Sequence, residues 1–236
     1  MRVLFAALPA VLCFAQEADL PGQLARLQRL PTDQVRSLEA RLAMDPAPSD
    51  KKAYHQLHLA YVLASRLSTE DPKASKALVE KSLKTFEAAP DPESRALVAG
   101  LLGLKIGFSP MSGMTLGPRA VGLLDQALAL RPGNPRITLL RAIHLLHTPA
   151  FVGGGVKVAL PLMEEAVRLA EAEAKPADPW LPSWGLIESL GWLALAQVEA
   201  ERLPAAQQTV DRVFTLDPAN GFVTRMVLPR LQGKGK

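Results

Sequence analysis

All four histidines of this 236-residue chain occur as i, i+3 pairs, His55 with His58 and His144 with His147. On a helix each pair shares one face, so it could offer two imidazoles to a metal ion or line a polar groove. A closed or catalytic zinc site needs a third protein ligand, no H-E-x-x-H stretch occurs, and the chain's one cysteine, Cys13, lies near its start. The pairs therefore read as groove-lining or hydrogen-bonded helix histidines, with no metal and no cofactor. Gly153, Gly154 and Gly155, with Lys157 just beyond, could present backbone N–H groups and a cation to an anion at a helix start. The competing reading is a tight turn. Neither G-x-x-x-x-G-K-[ST] nor G-x-G-x-x-G is present, so nucleotide binding lacks its spacing. No G-x-S-x-G turn occurs, and the adjacent acids Glu164 with Glu165, like Glu171 and Glu173, read as the water-facing side of a regular helix. The chain is expected not to be an enzyme. What remains are candidate contact residues: Trp180 and Trp184, which pack in a core or anchor a peptide, Met111 and Met114 as an adaptable apolar surface, and Phe151 beside the glycines.

These residues must be positioned by helices. Leu and Ala crowd the chain, aromatic residues are only 5%, and no segment alternates with period two for long. The excess of 27 Lys+Arg over 23 Asp+Glu is too small and too spread to indicate nucleic-acid binding. The first fifteen residues, MRVLFAALPAVLCFA, carry one cation and then an apolar run, which reads as a secretory signal peptide. The run is too short to span a membrane, so no transmembrane segment is expected in the mature chain. Leu12 stands before Cys13 where a lipobox calls for a small residue, which makes a lipoprotein the lesser reading. The mature chain is expected in the periplasm or outside the cell.

An internal period then sets the architecture. Prolines closing apolar-periodic segments fall at Pro46, Pro90, Pro132, Pro176 and Pro218, spaced by 44, 42, 44 and 42. The phrases EARLAMDP, DQALALRP and DRVFTLDP end at the first, third and fifth of them. Ala120, Leu124, Ala127 and Pro132 resemble the second helix of the tetratricopeptide repeat, in which a small residue, a large apolar one, a second small one and a closing proline recur. Ala206, Val210 and Pro218 match it again, with Val213 in place of the second small residue, and Leu193 with Ala194 stand where the first helix carries Leu-Gly. The resemblance covers most of residues 22–220, with units about nine residues longer than the family's 34. The fourth unit resembles the glycine-containing unit of exported bacterial tetratricopeptide proteins and is similar to the periplasmic helical-repeat component of tripartite carboxylate-type transporters. Neither resemblance transfers a catalytic residue.

The expected architecture is an all-α, right-handed solenoid of about five helix pairs over residues 16–231, after the signal peptide and before a disordered tail at 232–236. Caps and breakers place helix pairs at Gly22–Leu30 and Thr32–Met44, Ser49–Leu67 and Pro72–Ala88, Pro92–Phe108 and Pro118–Leu130, Pro135–His147 and Val156–Ala174, and Pro182–Leu203 and Pro204–Leu216, with a short helix near Phe222–Leu231. The extra length falls in two extended loops within the third and fourth pairs, FSPMSGMTLGP and HTPAFVGGGVK, each a Ser/Thr-Pro break, an apolar stretch and glycine. The function this implies is an exported scaffold that binds a protein, peptide or small ligand against its first helices. The alternative is a periplasmic solute-binding or transport-accessory protein.

Overall fold

The computed structural model describes residues 19–89 and 91–233. The segment expected to be a signal peptide, with Cys13, and likewise Pro90 and the last three residues lie outside the described residues. Among the described residues the chain is all-helical, with no strand. Its helices are α1 (Leu20–Leu24), α2 (Thr32–Met44), α3 (Ser49–Glu70), α4 (Pro72–Thr85), α5 (Pro92–Phe108), α6 (Gly113–Leu130), α7 (Pro135–His147), α8 (Val156–Ala172), α9 (Leu186–Glu199), α10 (Leu203–Leu216) and α11 (Leu228–Leu231). No helix among the described residues is long and apolar enough to cross a membrane.

The starts are chemically specified. Asp71, Asp91 and Asn134 each accept a backbone N–H of the following first turn, and each precedes a proline, whose fixed φ and missing donor suit the first helical position. From α2 onward each long helix packs on the next in sequence, and α3, α5, α7 and α9 also pack in a row, α3 on α5, α5 on α7 and α7 on α9. The small residues at the expected close approaches, Ala120, Ala127, Ala159, Ala166 and Ala206, are fully buried. Successive apolar clusters run along the chain, one around Leu24, Leu38 and Val62, one around Leu97, Leu101 and Leu124, and one around Met163, Leu190 and Val210.

Several expected boundaries are corrected, the first being the helix expected over Gly22–Leu30, which is Leu20–Leu24 followed by a 3-10 turn at Leu27–Arg29. The third-pair insert is not an extended loop: a 3-10 turn at Pro110–Ser112 leads straight into α6, which starts at Gly113 and carries Pro118 inside it. Proline at this sixth position removes only the N–H that would reach back to Met114, a carbonyl still in the first turn, so the helix tolerates it. Pro161 takes the same sixth position in α8, which shows the two inserts built to one plan. The expected helix over Pro182–Leu203 shrinks to Leu186–Glu199, because Gly185 at φ +137 cannot continue a helix backward and Glu201 at φ +57 ends it forward.

Candidate functional site

Between α8 and α9 the chain runs without helix from Glu173 to Gly185, with prolines at 176, 179 and 182 and one turn in which the Leu181 N–H donates to the Asp178 carbonyl at 3.1 Å. It returns to α3, more than a hundred residues earlier. Lys51 Nζ donates to Asp178 Oδ2 at 2.6 Å, His55 Nε2 lies 2.9 Å from the Trp180 carbonyl, and Trp184 Nε1 donates to the Tyr54 hydroxyl at 3.0 Å. Trp184 also stacks on His58, with ring centroids 4.5 Å apart and planes 13° from parallel, while Trp180 meets His55 edge-on. A carbonyl can only accept, so His55 carries its proton on Nε2 and its buried Nδ1 has no partner. His58 is buried with neither ring nitrogen partnered. Burial above all, then the neighbouring His55 and Arg136 charges, pull its pKa to about 3, so the ring is neutral. Each unpaired buried nitrogen costs about 1–3 kcal/mol.

Beside this strap lies a buried ionic knot. Arg136, in the first turn of α7, donates from Nε to Glu93 Oε2 at 2.7 Å, from Nη2 to Glu93 Oε1 at 3.1 Å and Glu173 Oε1 at 2.7 Å, and from Nη1 to Glu173 Oε2 at 2.7 Å and the Trp184 carbonyl at 3.0 Å. All five guanidinium N–H groups are used. Glu93 accepts further from Tyr54 and Asn134. Burial alone would lower the Arg136 pKa, but the bonds to Glu173 and Glu93 outweigh it and hold the group charged. Burial, reinforced by Glu93, raises the Tyr54 hydroxyl well above its usual range. A set so fully satisfied binds the fold together and leaves no group free for chemistry. Glu173 thereby departs from the expected water-facing helical acid, because α8 ends one residue before it and turns its carboxylate onto Arg136.

The two inserts form a second region. In the fourth-pair insert, Thr148 and Pro149 lead into a 3-10 turn, Ala150–Val152. The glycines then spend their donors inside the loop: Gly153 N–H on the Ala150 carbonyl, Gly154 N–H on Pro149 and Gly155 N–H on Leu145. Of the two readings of the glycines, these bonds match the tight turn and leave no N–H for an anion cradle. Gly153 and Gly155 have φ near +91, and a Cβ on Gly154 would stand 2.1 Å from the Thr148 carbonyl oxygen. Gly154→Ala should therefore cost about 2 kcal/mol or more, since backbone and not a flexible side chain must move. Urea melts beside wild type check this, and a loss under 0.5 kcal/mol on the same scale would contradict the geometry. Lys157 lies apart from the glycine donors, in a cleft of about 430 Å³ whose wall includes the Glu164–Arg202 ion pair.

Met111, Met114 and Phe151 are 80%, 81% and 88% exposed, and Val152 is 60% exposed. Glu93 and Arg136 tie the starts of α5 and α7, and these helices pack side by side, so both inserts leave from the same far end. At that end of α7 His144 is half-buried and His147 exposed. His147 Nδ1 lies 2.9 Å from the Ile143 carbonyl and so carries the proton, which leaves Nε2 as the lone-pair nitrogen. The ring stands edge-on to Trp192. Burial first, then Arg141 and His147, lowers the His144 pKa. Among the described residues no three His, Cys, Asp or Glu side chains are placed to share a metal.

The sequence candidates thus divide. Met111 and Met114 lie in the insert after α5, and His144, His147, Phe151 and the glycines at the end of α7 and in the insert after it. Trp184 instead lies at the start of α7, roughly 16 Å away along an eleven-residue rise, and Trp180 against His55 of α3. Trp184 is buried and so offers no open anchor. Sequence reasoning missed Tyr54, Glu93 and Arg136. One signal was available: Glu93 and Arg136 lie 43 residues apart, one repeat period, so adjacent units carry opposite charges at the same position of a first helical turn.

No family model matches the chain, and no curated protein matches it. It is similar to a solved structure, that of the HusA haemophore from Porphyromonas gingivalis, at 24% identity with a TM-score of 0.58, over 83% of this chain and 96% of that one. At that identity the likeness is one of fold.

Proposed function

We propose that this chain is an exported binding protein, built as a degenerate tetratricopeptide-like stack of helix pairs, that captures a ligand on the rim formed by its two inserts. The observation that carries the reading is the exposure of Met111, Met114, Phe151 and Val152 on the inserts that follow the neighbouring helices α5 and α7. Large apolar side chains gathered on a surface mark a place that something covers. The repeat timing and the N-terminal signal pattern support the stack and the export. The reading assigns no catalysis. It also moves the contact away from an open groove along the first helices, because the start of α7 and the face of α3 are covered by residues 173–185.

The ligand class that fits is a flat, largely apolar small molecule with an anionic edge. Met thioethers and the His147 Nε2 are groups able to ligate iron, and Lys105 and Lys157 supply cations on the flanking helices. The fold shared with a haemophore makes haem the first molecule to try. A protein or peptide partner is the second reading, favoured by the paired methionines, whose flexible side chains adapt to varied surfaces.

Titration with haem, followed by its Soret absorption, tests the proposal. The wild-type protein should shift and sharpen the band, and Met111→Ser/Met114→Ser should weaken binding by about tenfold or more with the helical circular dichroism unchanged. Unaltered affinity in that variant would move the contact to another face. No Soret change with wild type would discard the small planar ligand in favour of a macromolecular partner.

A further inference from the structure

The strap over α3 has the features of a bound peptide. It carries no helix, folds once at a turn from Asp178 to Leu181 and is stiffened by three prolines, so ordering it costs less entropy than ordering a freely flexible segment. Its recognition is of the peptide kind: one acid on one lysine, Asp178 on Lys51; two backbone carbonyls, those of Trp180 and Trp184, taken by His55 and Arg136; and two indoles, four residues apart, set against His55 and His58. The complement is also imperfect. With the strap in place both nitrogens of His58 and Nδ1 of His55 have no partner, while Leu181 between the anchors is 51% exposed. A segment that formed only part of the core would leave fewer polar groups orphaned beneath it.

We propose that residues 174–185 are a displaceable strap bound in cis, and that the α3 face beneath it, formed by Lys51, Tyr54, His55 and His58, docks a helix-free segment of a partner protein carrying an acidic residue followed by two aromatic residues. The partner's acid takes Lys51, its aromatic rings take the places of Trp180 and Trp184, and its backbone supplies groups to the histidines. The tether makes the strap its own competitor at an effective concentration of the order of millimolar, so the groove stays closed to weak ligands. This inference is independent of the insert rim, which lies at the other end of α7.

The test uses the full chain and a fluorescent peptide of the strap's own sequence, PADPWLPSWG. Trp180→Ala/Trp184→Ala should empty the groove and bind the peptide at least about tenfold more tightly than wild type does, and changing both peptide tryptophans to Ala should abolish the gain. His58→Ala added to the emptied chain should abolish it too. Equal, weak binding by the emptied and wild-type chains, with helical content retained, would show a permanent structural linker and overturn the proposal. Tight binding of free indole with no further gain from the peptide would overturn it as well, since the groove would then be a slot for a small aromatic molecule. If the double variant loses its helical spectrum, the unmodified chain decides: the peptide with a photoreactive group at the Leu181 position, supplied at roughly millimolar concentration, should cross-link within α3, and absence of any α3 cross-link rejects the strap's displacement.

Discussion

Arg136→Met should destabilise the chain by about 3–5 kcal/mol, a drop in melting temperature of roughly 10 °C for a domain of this size. The size follows from what is left behind. Glu93 is buried and keeps only Asn134, Tyr54 and a 3.7 Å approach of Arg131, while Glu173 loses both of its bonds and the Trp184 carbonyl loses its donor. Removing one partner of a buried ion pair costs more than removing both, because the stranded charge must be kept from water or neutralised. Glu93→Gln added to Arg136→Met should therefore recover a kilocalorie or more, on the order of the charge stranded in the single variant. Arg136→Lys should fall between, since an ammonium cannot serve two carboxylates and a carbonyl from one planar fork. Urea melts of the four proteins read these differences, with tryptophan emission reporting whether residues 173–185 loosen first. A loss below about 1 kcal/mol for Arg136→Met would mean that the knot contributes no more than an exposed pair.

The parts of the fold legible from sequence were those fixed by local chemistry. Thr32–Met44, Pro92–Phe108 and Pro135–His147 match their expected limits because a proline or a capping acid opens them and a turn-forming residue closes them. Small residues spaced for close helix approach announced Ala120 and Ala127, and both are buried. Gly113–Leu130 began earlier than expected because a proline signal reads as a first turn, although an interior sixth position costs only one early hydrogen bond. Trp184 and the strap lay beyond local reading altogether. Whether Trp184 faces solvent depends on Tyr54, 130 residues earlier, and no period, cap or breaker encodes that pairing. The glycines show the same limit at shorter range: their type announced a turn, but whether their N–H groups point outward depends on where the Leu145 and Pro149 carbonyls fall. Exposure of Val152 was likewise invisible, since an apolar stretch such as PAFV reads equally well as packed or open.

Acid should loosen this protein through His58. Its folded pKa of about 3 lies below the ordinary imidazole value of 6.5, so the folded chain keeps the ring neutral while the unfolded chain takes up a proton as pH falls. Above 6.5 both states are neutral and the group contributes no pH dependence. Between 6.5 and 3 the unfolded state binds one more proton, and stability declines by about 1.4 kcal/mol per pH unit from this residue. The groups facing His58 do not relieve the effect: Arg136 and a protonated His55 repel an imidazolium, the aromatic face of Trp184 covers it, and Glu93, the nearby acid, is already committed to Arg136, Asn134 and Tyr54. His55, whose own pKa burial lowers, acts in the same direction. His58→Phe keeps a flat ring against Trp184 and removes the proton. The wild-type chain should then lose about 2–3 kcal/mol more than His58→Phe between pH 6.5 and 4.5, read as the difference in unfolding free energy from urea melts at the two pH values. Equal losses in the two proteins would show that His58 gains a proton acceptor or water in the folded state, and with it that the space between α3 and the strap is already open.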